Sequence, residues 1–167
     1  MSSFEQLLDV MHSLDAAHHS MLDLAEQKKH ALIRGDVEEL TRIVAKENKF
    51  IKQVGELDLQ RVEAIGQYMI EKGYKPNPRV TVSDLTKIVF QAEDKKRLME
   101  AQKKLLGAIR KLREINQLNQ QLIEQSLAFI DYSLDLIAGP PENEVVYQHP
   151  QHAGGSAKRT GLFDTRA

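Results

Sequence analysis

Apolar residues recur along this chain at alternating intervals of three and four, the spacing that turns one face of a helix toward a neighbour. The first run holds Phe4, Leu7, Met11, Leu14, His18, Met21, Ala25, Lys28 and Leu32 and predicts a helix over about 3–33. Arg34-Gly35-Asp36 ends it. Glycine suits the left-handed position after a helix, and Asp36 can cap the next one by accepting from its free N–H groups. Glu39 stands three residues on, where a capping-box acid belongs. The second helix, about 37–72, carries two seams. One holds Val37, Leu40, Val44, Glu47, Ile51, Val54, Asp58, Arg61, Ile65 and Tyr68; the other holds Ile43, Phe50, Val54, Leu57, Arg61 and Ala64. Two seams imply two neighbours. Gly73 stops this helix and Lys75-Pro76-Asn77-Pro78 forbids its continuation.

Thr81 or Ser83 then caps a short helix over about 83–92, packed through Leu85, Ile88 and Val89, with a bend expected near Glu93-Asp94. The last helix, about 95–138, keeps one seam throughout: Leu98, Gln102, Leu105, Ile109, Leu112, Asn116, Asn119, Ile123, Ser126, Ile130, Ser133 and Ile137. Gly139-Pro140-Pro141 terminates it. At about 1.5 Å per residue it would reach roughly 65 Å. The fold class that follows is all-α: an elongated antiparallel helical bundle or coiled coil of three long helices plus a short connecting helix. It forms a helical domain over 1–138. The tail, 139–167, is rich in proline and glycine and reads as disordered. Two apolar islands in it, Val145-Val146-Tyr147 and Leu162-Phe163, are either recognition segments or spacers.

One stretch of the last helix is too apolar for a single seam. In 122–137, LIEQSLAFIDYSLDLI, a stripe about 120° wide carries Glu124, Gln125, Asp131, Tyr132 and Asp135. The other 240° or so carries Leu122, Ile123, Leu127, Phe129, Ile130, Leu134, Leu136 and Ile137, with Ser126 and Ser133 along its middle. A helix packed on one side needs an apolar stripe of only about 100°. Either several neighbours cover this segment or part of the arc awaits a partner.

Composition removes many alternatives. The 167 residues suffice for one domain with a moderate core, and a formal charge of −1 gives no global field toward nucleic acid or membrane. There is no cysteine, which excludes disulfides, thiolate metal sites and a cysteine nucleophile. No run approaches the roughly 18 apolar residues of a membrane span. The start, MSSFEQLLDVMH, lacks the basic-then-apolar layout of a secretory signal, so the expected compartment is the cytoplasm.

The candidate chemistry is sparse, and neither a catalytic residue nor a cofactor or metal site is expected. Six histidines, His12, His18, His19, His30, His149 and His152, form no metal-ligand pattern; His12 and His19 share a face but stand two turns apart. His18 reads as a half-buried packing residue. His30, in Lys28-Lys29-His30-Ala31-Leu32, is similar in placement to the histidine of phosphotransfer bundles, which need small residues beside it for a kinase to reach it, but here a glycine comes only five residues later, at the helix end. Glu47, Asp58 and Arg61 read as structural ion-pair partners on helix two. Eight cations between Lys95 and Arg113 spread around the polar side of the last helix without interleaved aromatics, which reads as a solvated face rather than a nucleic-acid or membrane site. Asn116 and Asn119 both lie on the last seam. They are either register devices inside a bundle or, with Ser126 and Ser133, the polar floor of a groove for an incoming helix.

The segment REINQLNQQLIEQSLAFIDYSLDLI, with Asn116, Asn119, Leu122, Ser126 and Leu127, resembles the C-terminal helix of FlgN-type flagellar export chaperones. LAEQKKHALIRGDVEELTRIVAKENKFIKQVGELDLQR, with Lys28 or Lys29, Gly35-Asp36, Glu47 and Arg61, is similar to that family's first hairpin. The ending, Gly161-Leu162-Phe163-Asp164-Thr165-Arg166-Ala167, also looks like the tails of Gram-positive members. The resemblance implies a cytoplasmic, non-enzymatic chaperone. Its partners would be hook-associated proteins 1 and 3, the hook–filament junction proteins, which it would keep unassembled and deliver to the type III export gate and ATPase components. It also implies that the client-binding residues lie in 116–137: Asn116, Asn119, Leu122, Ile123, Ser126, Leu127, Phe129, Ile130, Ser133, Leu134 and Ile137. A scaffold that self-assembles through the same arc is the competing class.

Overall fold

The computed structural model describes residues 1–139, and among them four helices and no strands: α1 (Ser3–Arg34), α2 (Val37–Glu71), α3 (Val82–Ile88) and α4 (Ala92–Ala138). The all-α reading holds, and the three long helices agree with the apolar periodicity to within a few residues. Apart from Gly139, the tail and its two apolar islands lie outside the described residues. The chain divides into two compact units, Met1–Glu124 and a second that starts at Gln125.

The helix ends follow from local chemistry. Ser2 caps α1 by accepting from the Glu5 N–H at 3.2 Å. Gly35 takes φ 69°, a left-handed conformation that costs a residue without Cβ little, and the Asp36 N–H turns back to the Ala31 carbonyl at 3.0 Å. The Asp36 carboxylate caps α2 by accepting from the Glu39 N–H at 3.0 Å. Glu39 does not complete a capping box, because its carboxylate pairs with Arg42 one turn on. The box forms instead at α3, where Thr81 and Asp84 each accept from the other's backbone N–H. The chain then straightens at Val89, and α4 starts at Ala92, so the break falls before Glu93-Asp94 rather than at them. Acids in a first turn complement the positive end of the helix dipole, which is why these two begin a helix instead of bending one.

In the first unit, α2 returns antiparallel along α1. The Ser3 hydroxyl at the start of α1 donates to Glu71 at the end of α2, and the Phe4 and Tyr68 rings lie 6.0 Å apart. The first turns of α4 meet that same end of α1. Arg97 donates to both oxygens of Glu5, at 2.8 and 2.9 Å, and its guanidinium lies 5.8 Å from the Phe4 ring centre. The hydrogen bonds from Arg97 hold the Glu5 carboxyl below the usual glutamate range. Further along, Asn119 bonds to the Ala25 carbonyl. Therefore α4 runs in the direction of α1 and opposite to α2, an up-down-up order.

Phe4, Leu7, Leu8 and Met11 of α1 pack with Ile65, Tyr68 and Met69 of α2, with Leu85 and Val89, and with Leu98 and Ala101 of α4. Each fully buried leucine-sized side chain there contributes on the order of 1.5–3 kcal/mol. Two smaller clusters continue the packing: Leu24 and Ala31 against Ile43, and Ala25 against Leu112 and Ile115. The two-sided helix is thus α1. The expectation that α2 has two neighbours is corrected for its first half; at its end Ile65, Tyr68 and Met69 share a cluster with α1, α3 and α4. Its Ile43–Ala64 seam packs, whereas Val37, Val44 and Ile51 of the other seam stay exposed. The inward positions of that seam include Glu47, which pairs with Lys28 of α1, and Ile65 and Tyr68 near the end of the helix.

Candidate functional surface

The residues expected to bind a client fall into two groups. In the first unit, Asn116 is exposed and lines a shallow cleft with His18, Ile109 and Arg113. Leu122 and Ile123 are half-buried. Asn119 is only 2% exposed, and its Nδ2 donates to the Ala25 carbonyl at 2.9 Å. Its Oδ1 is buried and has no hydrogen-bond partner among the described residues. This corrects the placement of Asn119 on an open groove floor: of its two readings, the register device inside the bundle is the one found.

In the second unit, the last turns of α4 keep their side chains in solvent. Leu127, Phe129, Ile130, Leu134, Leu136 and Ile137 are all more than half exposed, between 52% and 86%. Ser126 is exposed and Ser133 half-buried. At about 100° per residue, the six apolar side chains span about half the circumference of the helix. Single exposed apolar residues are ordinary, but six within eleven positions form a contiguous patch of the kind that marks an interaction site. Nothing in 125–138 breaks a helix, and the turn at Gly139 closes it by donating its N–H to the Asp135 carbonyl at 2.9 Å. Leu136 lies on the same arc, at 67% exposure, although the resemblance alone did not single it out.

The charge of this surface is one-sided. Asp131 and Asp135 are the only charged residues in 125–138. An apolar helix face that inserts at a membrane surface carries lysine and arginine on its polar side, and this one carries carboxylates. Among the described helices none is long and apolar enough to cross a membrane.

The other candidates take their plainer readings. The Lys28 ammonium pairs with Glu47 at 3.1 Å between α1 and α2, and Arg61 pairs with Asp58 at 2.8 Å within α2. His18 is half-buried, its Nδ1 2.7 Å from the Leu14 carbonyl, and His30 is exposed. No group of three histidine or acidic side chains suited to a metal ion occurs among the described residues.

Comparison with known proteins agrees with this architecture. The family model described as FlgN protein matches residues 1–154. The chain is 27% identical over 166 residues to the uncharacterized protein YvyG of Bacillus subtilis (strain 168), covering 99% of each. No solved structure matches it.

Proposed function

The chain belongs to the FlgN family, and from that premise we propose that it is a cytoplasmic export chaperone for the hook–filament junction proteins, hook-associated proteins 1 and 3. Members of the family serve flagellum assembly as chaperones, a role that needs a surface for a partner and no catalytic group. The observation that supports the reading is the exposed apolar arc of α4, Leu127 to Ile137, carried by a helix whose earlier turns bury theirs. In this reading the arc is a helix-in-groove receptor: an amphipathic helix of the client lays its apolar face across it. In this reading the covered helix is one through which the client would otherwise assemble, so a chaperone seated on it keeps clients apart.

The expected strength follows from the anchors. Each leucine-sized side chain buried contributes on the order of 1.5–3 kcal/mol before the cost of ordering two partners. Four to six anchors therefore yield micromolar or better binding, while leaving a complex that can be released at the export gate. The acids beside the arc favour a client helix with lysine or arginine along its edge. Asn116, Leu122, Ile123, Ser126 and Ser133 are proposed contacts on the same helix, and Asn119 is not.

Titration of purified hook-associated protein 1 or 3 against the chain tests the proposal. Leu127→Asp or Ile130→Asp abolishes binding while far-UV circular dichroism retains its helical content. Binding that survives both substitutions places the client surface elsewhere.

A further inference from the structure

The first half of α4 carries a second exposed stripe, on the side away from the core. Met99 and Leu106 are 51% and 40% exposed, although the buried Leu98, Ala101 and Ala108 sit on the same turns. At about 100° per residue the stripe lies roughly 150° round the helix from that buried face. Met99 and Leu106 line a trough of about 650 Å³ with Lys95, Lys96, Lys103 and Arg110, against one carboxylate, Glu100. None of those four cations takes part in an ion pair among the described residues.

The spacing of this stripe recurs, with opposite charge, at the edge of the apolar arc. Met99, Lys103 and Leu106 stand at i, i+4 and i+7; so do Leu127, Asp131 and Leu134. Heptad-spaced Lys103 and Arg110 are matched by heptad-spaced Glu124 and Asp131. Laid antiparallel, the two stripes share one register: Met99 opposite Leu134, Lys103 opposite Asp131, Leu106 opposite Leu127, Arg110 opposite Glu124. This is the arrangement of an antiparallel coiled coil, an apolar seam with flanking charges that choose partner and orientation.

We infer that the trough is the docking site for the last turns of α4 from a second copy of this chain, forming an antiparallel pair in the absence of client. Each copy carries both stripes, so where the two contacts form between the same two copies the pair is isologous and closes at two subunits. An anionic membrane is the other occupant that a cationic trough admits. However, two apolar residues per stripe are few for an interfacial helix, and the larger apolar face of this segment is occupied by the core. Pairing covers Leu127 and Leu134, so a second copy and a client exclude each other there; that consequence alone rests on the proposed chaperone role.

Sedimentation of the full chain without client tests the pair itself, at about 5 and 200 µM and at low and high salt, with charge complementarity giving the salt dependence. The expected result is a monomer–dimer equilibrium that weakens with salt. Lys103→Asp or Asp131→Lys raises the dissociation constant about tenfold, because each places like charges opposite one another. The chain carrying both substitutions recovers the dimer, since the pair is restored in reverse. All of these positions are exposed, and unchanged circular dichroism and melting confirm the fold in each variant. A monomer at every concentration, a dimer indifferent to both single substitutions, or a double variant without recovery overturns the inference. Binding to phosphatidylserine vesicles that Lys103→Asp abolishes, with no dimer in their absence, assigns the trough to a membrane instead.

Discussion

Two stretches of α4 use the same heptad to opposite ends. Over Ala92 to Asn119 the seam is internal: Leu98, Ala101, Ala108, Leu112 and Ile115 are buried, and eight cations between Lys95 and Arg113 occupy the rest of the circumference. Over 125–138 the helix has more apolar side chains, no cation, and most of those side chains in water. Hydrophobic density therefore does not measure burial. The first stretch buries most of its apolar seam and leaves only scattered side chains such as Met99 and Leu106 exposed, whereas the second leaves six exposed within eleven positions. Surplus of this kind adds nothing to the stability of the free chain, so a different reason for it is needed, and a partner supplies one.

The contrast breaks most readily at its buried end. Leu98→Ala removes a side chain that is 0% exposed inside the largest cluster and lowers unfolding stability by about 2–5 kcal/mol. Leu134→Ala, the same chemical change on the exposed arc, stays within about 0.5 kcal/mol. Urea denaturation followed by circular dichroism measures both, at a concentration where sedimentation shows a monomer. Equal losses there would mean that the arc is already covered in the free monomer.

The boundary between the two behaviours sits near Asn119, and its substitution sharpens where one ends. Asn119→Ala and Asn119→Leu both lose the bond to the Ala25 carbonyl together with the partnerless Oδ1, but Ala also leaves a cavity and costs about 1 kcal/mol or more, whereas Leu fills the site and costs less. Affinity for hook-associated proteins is unchanged in both. An Asn119→Leu chain that keeps its stability and loses its client would return this residue to the binding surface.

The periodicity of the sequence made the three long helices and the Gly35-Asp36 turn legible, because heptads and caps are local signals. It assigned the neighbours wrongly. α1 is the helix packed on two sides, and its second face includes Ala17 and Ala31, whose methyl groups carry little weight in a hydrophobic pattern. α2 has larger apolar residues at two sets of positions, yet Val37, Val44 and Ile51 of one set are exposed. The excess arc at 122–137 was visible from the helical placement of its apolar residues, and the structure adds that its last eleven positions hold six exposed apolar side chains. Asn119 was ambiguous for a physical reason: an amide on a seam serves a register bond or a partner equally well, and only the position of the Ala25 carbonyl distinguishes them.

The smallest effect is expected at the far end of α4, where an exposed ion pair adds to the packing of Leu98 in fastening its first turns to α1. Arg97 donates to both Glu5 oxygens and holds that carboxyl below its usual range. A group whose pKa is lowered by folding contributes stability that is present above its unfolded value and lost as pH falls through the folded one. Glu5→Gln therefore melts slightly below the natural chain near pH 7, the gap closes on acidification below the usual glutamate range, and added salt narrows it at neutral pH. Melting curves between pH 7 and pH 3 measure it. A gap that stays constant with pH would make the contact one of shape, held by Arg97 lying over the Phe4 ring, and would leave charge with no part in fixing where α4 begins.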